Sequence, residues 1–170
     1  VAHIGLTEAH FALSMQALEA MTSRFSSEFA IRPFLAAFPE QTLAQCLRWT
    51  AHPNQHVRRL ASEGTRPVLP WGMKLPKLGA DPTLSLPILD ALKDDSSAYV
   101  RLSVANHLND HSKLHPDWVC AMVQTWWQLD KPRQKLLKHG CRTLIKQGHE
   151  QTLALFGFSA IKANVHLALS

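Results

Sequence analysis

Glu28, Glu63, Trp71 and Asp110 are the residues of this 170-residue chain whose types and settings suit chemistry. Val100, Val104 and Leu108 recur at helical spacing, and at about 3.6 residues per turn Ser103, Asn106 and Asp110 fall nearly opposite them. Asp110 is therefore expected to face outward, toward whatever the helices hold. Glu63 lies four residues after Arg59, on the polar side of a helix whose other side is Val57, Leu60 and Ala61. A plain surface ion pair accounts for those two. Glu28 follows Ser26 and Ser27, either of which suits a helix N-cap, so the carboxylate would sit in a first turn, where the helix dipole favours it. Trp71 stands in "TRPVLPWG", where Pro67 and Pro70 fix the backbone. An indole displayed from such a turn either packs over a neighbouring element or, beside a basic groove, stacks on a base.

Other chemistries find less support. His107, His111 and His115 are spaced by four, but Pro116 ends their helix and no CxxC pair or fourth ligand lies near them, so no metal is expected. No glycine-rich phosphate loop and no GxSxG elbow occurs, which leaves nucleotide hydrolysis and esterase chemistry without a motif. No cofactor is implied. Cys46, Cys120 and Cys141 are odd in number and set among apolar residues, as buried thiols in a reducing compartment would be.

The elements that must position these groups are helices. Phe11, Ala12, Met15 and Leu18 recur at threes and fours, as do Leu43, Cys46, Leu47 and Thr50. Breaks at Pro39, Pro53, Gly64, Pro82, Pro116, Pro132 and Gly148 divide the pattern into seven to nine helices. "TLAQCLRWTAHPNQHVRRLA" slides onto "LSLPILDALKDDSSAYVRLSV", pairing Leu43 with Leu86, Cys46 with Leu89, and Val57-Arg58 with Val100-Arg101. An apolar residue followed by a cation recurs as Ile31-Arg32 and Leu137-Lys138. These spacings predict an all-α, HEAT-like solenoid over residues 1–158, a curved right-handed array of helix pairs with the second helices on one concave, basic face. One cation per repeat, Arg32, Arg58, Arg101 and Lys138, would then follow successive phosphates. The rival reading is a non-catalytic scaffold that binds DNA or protein through the same face. It gains nothing from Glu28, Glu63 and Asp110, which would repel phosphates.

Charge and length agree with this outline. Eighteen Lys and Arg against thirteen Asp and Glu give +5, which suits a polyanionic partner. No apolar run approaches the roughly 18 residues of a membrane span, and no signal peptide opens the chain, so a cytoplasmic protein with no membrane partner is expected. The chain opens at Val1 instead of methionine, which points to a segment upstream. Residues 159–170 alternate weakly around Val165, Leu167 and Leu169 and read as the first strand of a further domain.

"SSEFAIRPFL", "HVRRLASEGTRPVLPWG", "YVRLSVANHLNDHSKLHPD" and "KHGCRTLIKQGH" together resemble the AlkC-type DNA alkylation repair glycosylases, relatives of the AlkD HEAT-repeat enzymes. The resemblance spans about Phe11 to Phe158. It implies excision of cationic alkylated bases, 3-methyladenine and 3-methylcytosine, from double-stranded DNA, by hydrolysis of the N-glycosidic bond without flipping the base. It implies a monomer that joins the bacterial nucleoid when bound to DNA, and an immunoglobulin-like domain after the repeats. Glu28, Asp110 and Trp71 match the family's active-site carboxylates and aromatic, with Glu63 as a further carboxylate. Arg59, Arg66 and Arg142 join the four repeat cations as DNA-binding positions. Where members read "RPRLPWA" and "VRRSVAN", this chain has Val68, Gly72 and Leu102, and so fewer cations. The chemistry fits independently. An N3-alkylated purine is already positive, so its departure needs little acid help. A carboxylate beside the sugar can stabilise the cation and place water, and an indole face adds cation–π attraction of about 0.5–2 kcal/mol.

Overall fold

The described residues form twelve α-helices, more and shorter than the seven to nine that the proline and glycine breaks predict. The structure, a computed structural model, describes residues 1–158; the tail 159–170, with its expected strand, lies outside the described residues. The helices are α1 (Ala2–Gly5), α2 (Glu8–Thr22), α3 (Arg32–Ala37), α4 (Pro39–Trp49), α5 (Gln55–Gly64), α6 (Pro76–Ala80), α7 (Leu86–Leu92), α8 (Ala98–Ser112), α9 (Pro116–Trp126), α10 (Lys131–Gly140), α11 (Arg142–Lys146) and α12 (Glu150–Leu155). A single 3₁₀ turn, Pro82–Leu84, precedes α7, and no strand occurs among the described residues. Six helices begin with proline in the first turn, where its missing N–H costs nothing: α3, α4, α6, α7, α9 and α10.

The fold is a HEAT-like α-α solenoid. α5 packs along α8 and α8 along α10, forming an inner row, while α4 and α7 back onto α5 and α8. Cys46, Trp49, Val57, Leu60, Leu89, Leu92, Val100, Val104 and Leu108 fill the space between the layers with almost no exposure. Burying each leucine-sized side chain stabilises by about 1.5–3 kcal/mol, so the apolar repeat register decides which helix faces meet. The three cysteines are buried thiols, and burial pushes Cys46 up to about 12.

The 43-residue internal repeat, from Arg58 to Arg101, is structural. Arg58 donates through Nη1 to the carbonyls of His52 and Pro53, both at 2.9 Å. Arg101 donates through Nη1 to the carbonyls of Asp95 and Ser96, the latter at 3.0 Å. Each arginine clasps the loop before its own helix, satisfying carbonyls of that loop. Arg58 also reaches the next repeat, with Nε 2.6 Å and Nη2 3.0 Å from the Asp95 carboxylate. In α10 the clasp is Arg133, not Lys138: Arg133 donates to the Trp126 carbonyl at 2.8 Å and pairs with Asp94.

The cation register therefore does not make a track of free positive charge. Arg58 and Arg101 are held by the loops they brace. Arg32 is fully buried, because its place in the repeat lies beneath the loop after α5. Of the four, Lys138 alone is exposed, its Nζ lying 5.2 Å from the Phe158 ring centroid.

Candidate active site

The inner helices α5 and α8 meet across a run of charged side chains. α5 starts at Asn54, whose side chain accepts from the His56 N–H at 2.9 Å, and buries Val57, Leu60 and Ala61. It stops where Thr65 turns its hydroxyl back to the Ala61 carbonyl at 2.7 Å, followed by Pro67 and Pro70. Arg59, Glu63 and Arg66 thus leave the end of α5 on the side that faces α8.

From there the charges alternate without a gap. Glu28 Oε2 lies 2.5 Å from Arg59 Nη1, and Arg59 Nη2 lies 3.5 Å from Glu63 Oε1. Glu63 Oε1 accepts from Arg66 Nη1 at 2.7 Å, and Arg66 grips Asp110 with Nε at 2.7 Å and Nη2 at 3.1 Å. The order is acid, base, acid, base, acid. The buried Arg32 lies near enough to interact with all three carboxylates, so the cluster sets three acids against three arginines, and the Arg66 fork fixes both oxygens of Asp110. Ser103 of α8 donates to Glu63 Oε2 at 2.6 Å, and Ser26 donates to Glu28 Oε2 at 3.0 Å. Tyr99 lies under Arg59, 5.0 Å from guanidinium carbon to ring centroid.

Asp110 does not face solvent: it is 4% exposed. α8 is the central inner helix, with α5 on one flank and α10 on the other, so the side opposite Val100, Val104 and Leu108 is also covered. Burial pushes the Asp110 carboxyl above its ordinary pKa, against the pull of Arg66. Burial also opposes the charge on Arg66, but the hydrogen bonds and charges of Asp110 and Glu63 outweigh it and hold its pKa above the usual value. The Arg59–Glu63 pair expected at i, i+4 is present, though Glu63 is buried and binds Arg66 more closely. Glu28 precedes α3 in a turn outside any helical first turn, because Pro33 sets the start of α3 later.

Trp71 is fully exposed, with φ +64°, a left-handed conformation that a non-glycine side chain adopts at a cost of about 1 kcal/mol or more. Its loop is anchored on both sides: the Gly72 N–H donates to the Leu69 carbonyl at 3.0 Å, and the Leu75 N–H to that of Pro67 at 3.1 Å. Arg142 is half-buried, its Nη1 donating to the His139 carbonyl at 2.9 Å.

The three histidines form a column. His107 and His111 stack at 5.1 Å, and His111 and His115 lie 6.2 Å apart. His107 meets the Ser62 carbonyl at 3.1 Å, His111 the Ser85 hydroxyl at 3.3 Å, and His115 the Gly79 carbonyl at 2.7 Å. Each is committed to a different neighbour.

Periodicity misses Ser103 and Tyr99 as parts of the ladder, and it misses Arg66 as its central bridge. The i, i+3 spacing of Glu63 and Arg66 and the i, i+7 spacing of Ser103 and Asp110 are the signals that find them.

A solenoid whose inner row carries a buried acid–base ladder beside a displayed indole defines a class of helical-repeat proteins built around a charged centre. The sequence model of the DNA alkylation repair enzyme family matches residues 19–146. The chain belongs to that family, as an AlkC-type member. It is 50% identical to the Pseudomonas fluorescens alkylpurine DNA glycosylase AlkC, solved bound to DNA containing an abasic site analog, with a TM-score of 0.83 over 87% of this chain and 42% of that one. It is 51% identical over 150 residues to the uncharacterized protein YhaZ of Bacillus subtilis (strain 168), covering 88% of this chain and 42% of the relative. The chain thus spans about two fifths of the length of these relatives. No helix among the described residues is long and apolar enough to cross a membrane.

Proposed function

We propose that the protein is a DNA glycosylase that hydrolyses the N-glycosidic bond of cationic N-alkylated bases, 3-methyladenine and 3-methylcytosine, in double-stranded DNA, without flipping the base. It acts as a monomer in the cytoplasm, bound to the nucleoid while at work. The observation that carries this reading is the ladder: three carboxylates joined by two arginines, of which Arg66 stands at the start of the loop that displays Trp71.

The chemistry follows from charge. A cationic base leaves readily, so the protein has to stabilise a positive sugar and place a water. Glu63 and Asp110 are carboxylates in a poorly solvated setting, where a positive sugar placed beside them is attracted more strongly than in water. Arg66 holds Asp110 in one orientation and leaves lone pairs of the carboxylate for water and sugar. Trp71, displayed to solvent, meets the cationic base at its face without enclosing it. Arg142 and Lys138 supply positive charge toward the phosphates, Arg59 being held within the ladder by Glu28 and Glu63.

A second reading draws on the low exposure of Glu63 and Asp110. In a non-catalytic scaffold for DNA or protein, the same ladder would only tie α5 to α8. Single-turnover release of 3-methyladenine, 3-methylcytosine and 7-methylguanine from methylated duplex separates the two. Asp110→Asn keeps the shape and removes the charge, so excision per folded molecule is expected to fall about 10²- to 10³-fold. DNA affinity should stay equal or tighten as one repulsion disappears. Thermal melting measured alongside corrects for the weakened Arg66 pair. Absence of base release by the unaltered protein, or wild-type-like excision by Asp110→Asn, defeats the catalytic reading.

A further inference from the structure

Arg32 is the one member of the expected cation series with no surface at all, yet no carboxylate hydrogen-bonds to it. Its guanidinium is spent on main-chain carbonyls. Nη1 donates to Gly64 at 2.9 Å, Nη2 reaches Pro67 at 3.5 Å, and Nε donates to Met73. Those carbonyls bracket the segment that carries Trp71: Gly64 ends α5, Pro67 opens the turn, and Met73 closes it. The backbone also lies directly on the arginine stem, since a β-carbon at Gly72 would come within 3.3 Å of Arg32 Cδ. Burial and the nearby Arg66 push Arg32 down to about 10, so it stays charged at neutral pH.

A fully exposed indole at positive φ has no packing of its own to hold it. Neighbouring contacts must supply the constraint. Pro70 restricts only its own φ, and Trp71 touches nothing that would choose its orientation.

We infer that Arg32 is a positioning residue: from beneath, its planar fork of donors fixes the loop from Gly64 to Met73, and so fixes where Trp71 presents its face. Lysine cannot take its place. An ammonium keeps the charge but cannot span three carbonyls in the plane that a guanidinium matches. The inference rests on the proposed role of Trp71 for its effect on excision, but not for its effect on the loop.

The test uses Arg32→Lys, Trp71→Ala and the double variant. Lys74, exposed at the end of the loop, gives a tryptic site that reports the loop without any activity. Arg32→Lys is expected to speed cleavage after Lys74 at least tenfold while cleavage at other exposed lysines keeps its rate. It should slow single-turnover excision to about the level of Trp71→Ala, and the double variant should be no slower than Trp71→Ala alone. Unchanged cleavage at Lys74, or losses that multiply in the double variant, overturns the inference. If Trp71→Ala leaves excision intact, the proposed role of the indole fails, while the cleavage rate still decides what Arg32 does to the loop. Should Arg32→Lys not fold, nitrogen-15 NMR of the unaltered protein serves. A slowly exchanging Arg32 Nε–H at neutral pH supports the fork, and exchange as fast as that of exposed arginines overturns it.

Discussion

Two seams of the inner row are built from the same repeat and finished differently. At the seam of α5 with α8, Arg59, Glu63 and Arg66 form an ionic chain to Asp110. One repeat later, the same positions hold Leu102, Asn106 and Asn109. There Asn106 meets His139 Nε2 at 3.0 Å, and Asn109 accepts from the Thr143 N–H at 3.1 Å and hydroxyl at 2.9 Å. Neutral amides suffice to join inner helices. The charges of the first seam therefore exceed what stacking requires, and buried ion pairs are a costly way to join helices. The clasps Arg58 and Arg101 recur in both repeats because both loops need bracing. Whatever recurs belongs to the scaffold; the charges that do not recur mark the site.

The largest expected effect comes from removing the bridge of the ionic seam. Arg66→Met leaves Glu63 and Asp110 buried without their main partner, and a loss of about 3–5 kcal/mol in unfolding free energy is expected. Asn109→Ala at the neutral seam should cost about 1–3 kcal/mol, the scale for a buried donor left unsatisfied. Urea titration of the two variants checks the contrast. Equal losses would mean that the seams differ in chemistry but not in dependence on it.

The seams should also separate by pH. His107 and His111 lie under the first seam, and burial drives His107 well below its ordinary pKa and His111 down to about 4. Arg66 and Arg32 further disfavour charge on His107, as His115 does on His111, while Asp81 favours it weakly. A histidine with a depressed folded pKa contributes stability that is fully present above about pH 6.5 and is lost as pH falls toward the folded value. For His111 alone the loss amounts to roughly 3 kcal/mol between pH 6.5 and pH 4. Urea unfolding at pH 7 and pH 5 should show the decline, and His111→Gln, which takes up no proton, should flatten part of it.

A smaller effect is expected where the two repeats are alike. Arg58→Ala and Arg101→Ala each free loop carbonyls and should cost about 1–3 kcal/mol, more for Arg58, which also loses Asp95. Neither should alter the salt dependence of DNA binding. A salt slope lowered by about one unit in either variant would return that arginine to the phosphates.

These clasps also show how far sequence carries. Helical punctuation and the 43-residue register follow from local rules, proline placement and apolar spacing, whereas the exposure of Trp71 does not: its rigid turn suits packing and display alike, and the tertiary placement of the loop decides between them. Arg58 and Arg101 were legible as equivalents but not as clasps, because a repeated cation reads the same whether it meets a phosphate or a carbonyl of its own loop. Asp110 reads as outward because helical spacing gives only the side of α8 away from one apolar stripe. Whether a neighbour covers that side is decided by the tertiary placement of α5 and α10. Arg32 is the extreme case, since its partners lie 32 to 41 residues away along the chain.

Lys138 brings the comparison down to a single exposed charge. In sequence it follows an apolar residue as Arg58 and Arg101 do, but it stands a turn later in its helix, and Arg133 does the bracing there, so Lys138 carries no clasp. Its contact with the Phe158 ring is a surface cation–π pair worth about 0.5–1 kcal/mol. Lys138→Ala should therefore leave unfolding free energy within about 1 kcal/mol of the unaltered protein. If Lys138 meets a phosphate, affinity for all duplex sequences should fall alike, and the plot of log affinity against log salt should lose about one unit of slope. Base release at saturating protein should be untouched, because the charge lies outside the ladder. Fluorescence anisotropy of a labelled duplex from 50 to 200 mM salt, roughly the range over which counterion release is read, separates the cases. An unchanged slope would show that this cation serves the surface of α10 alone.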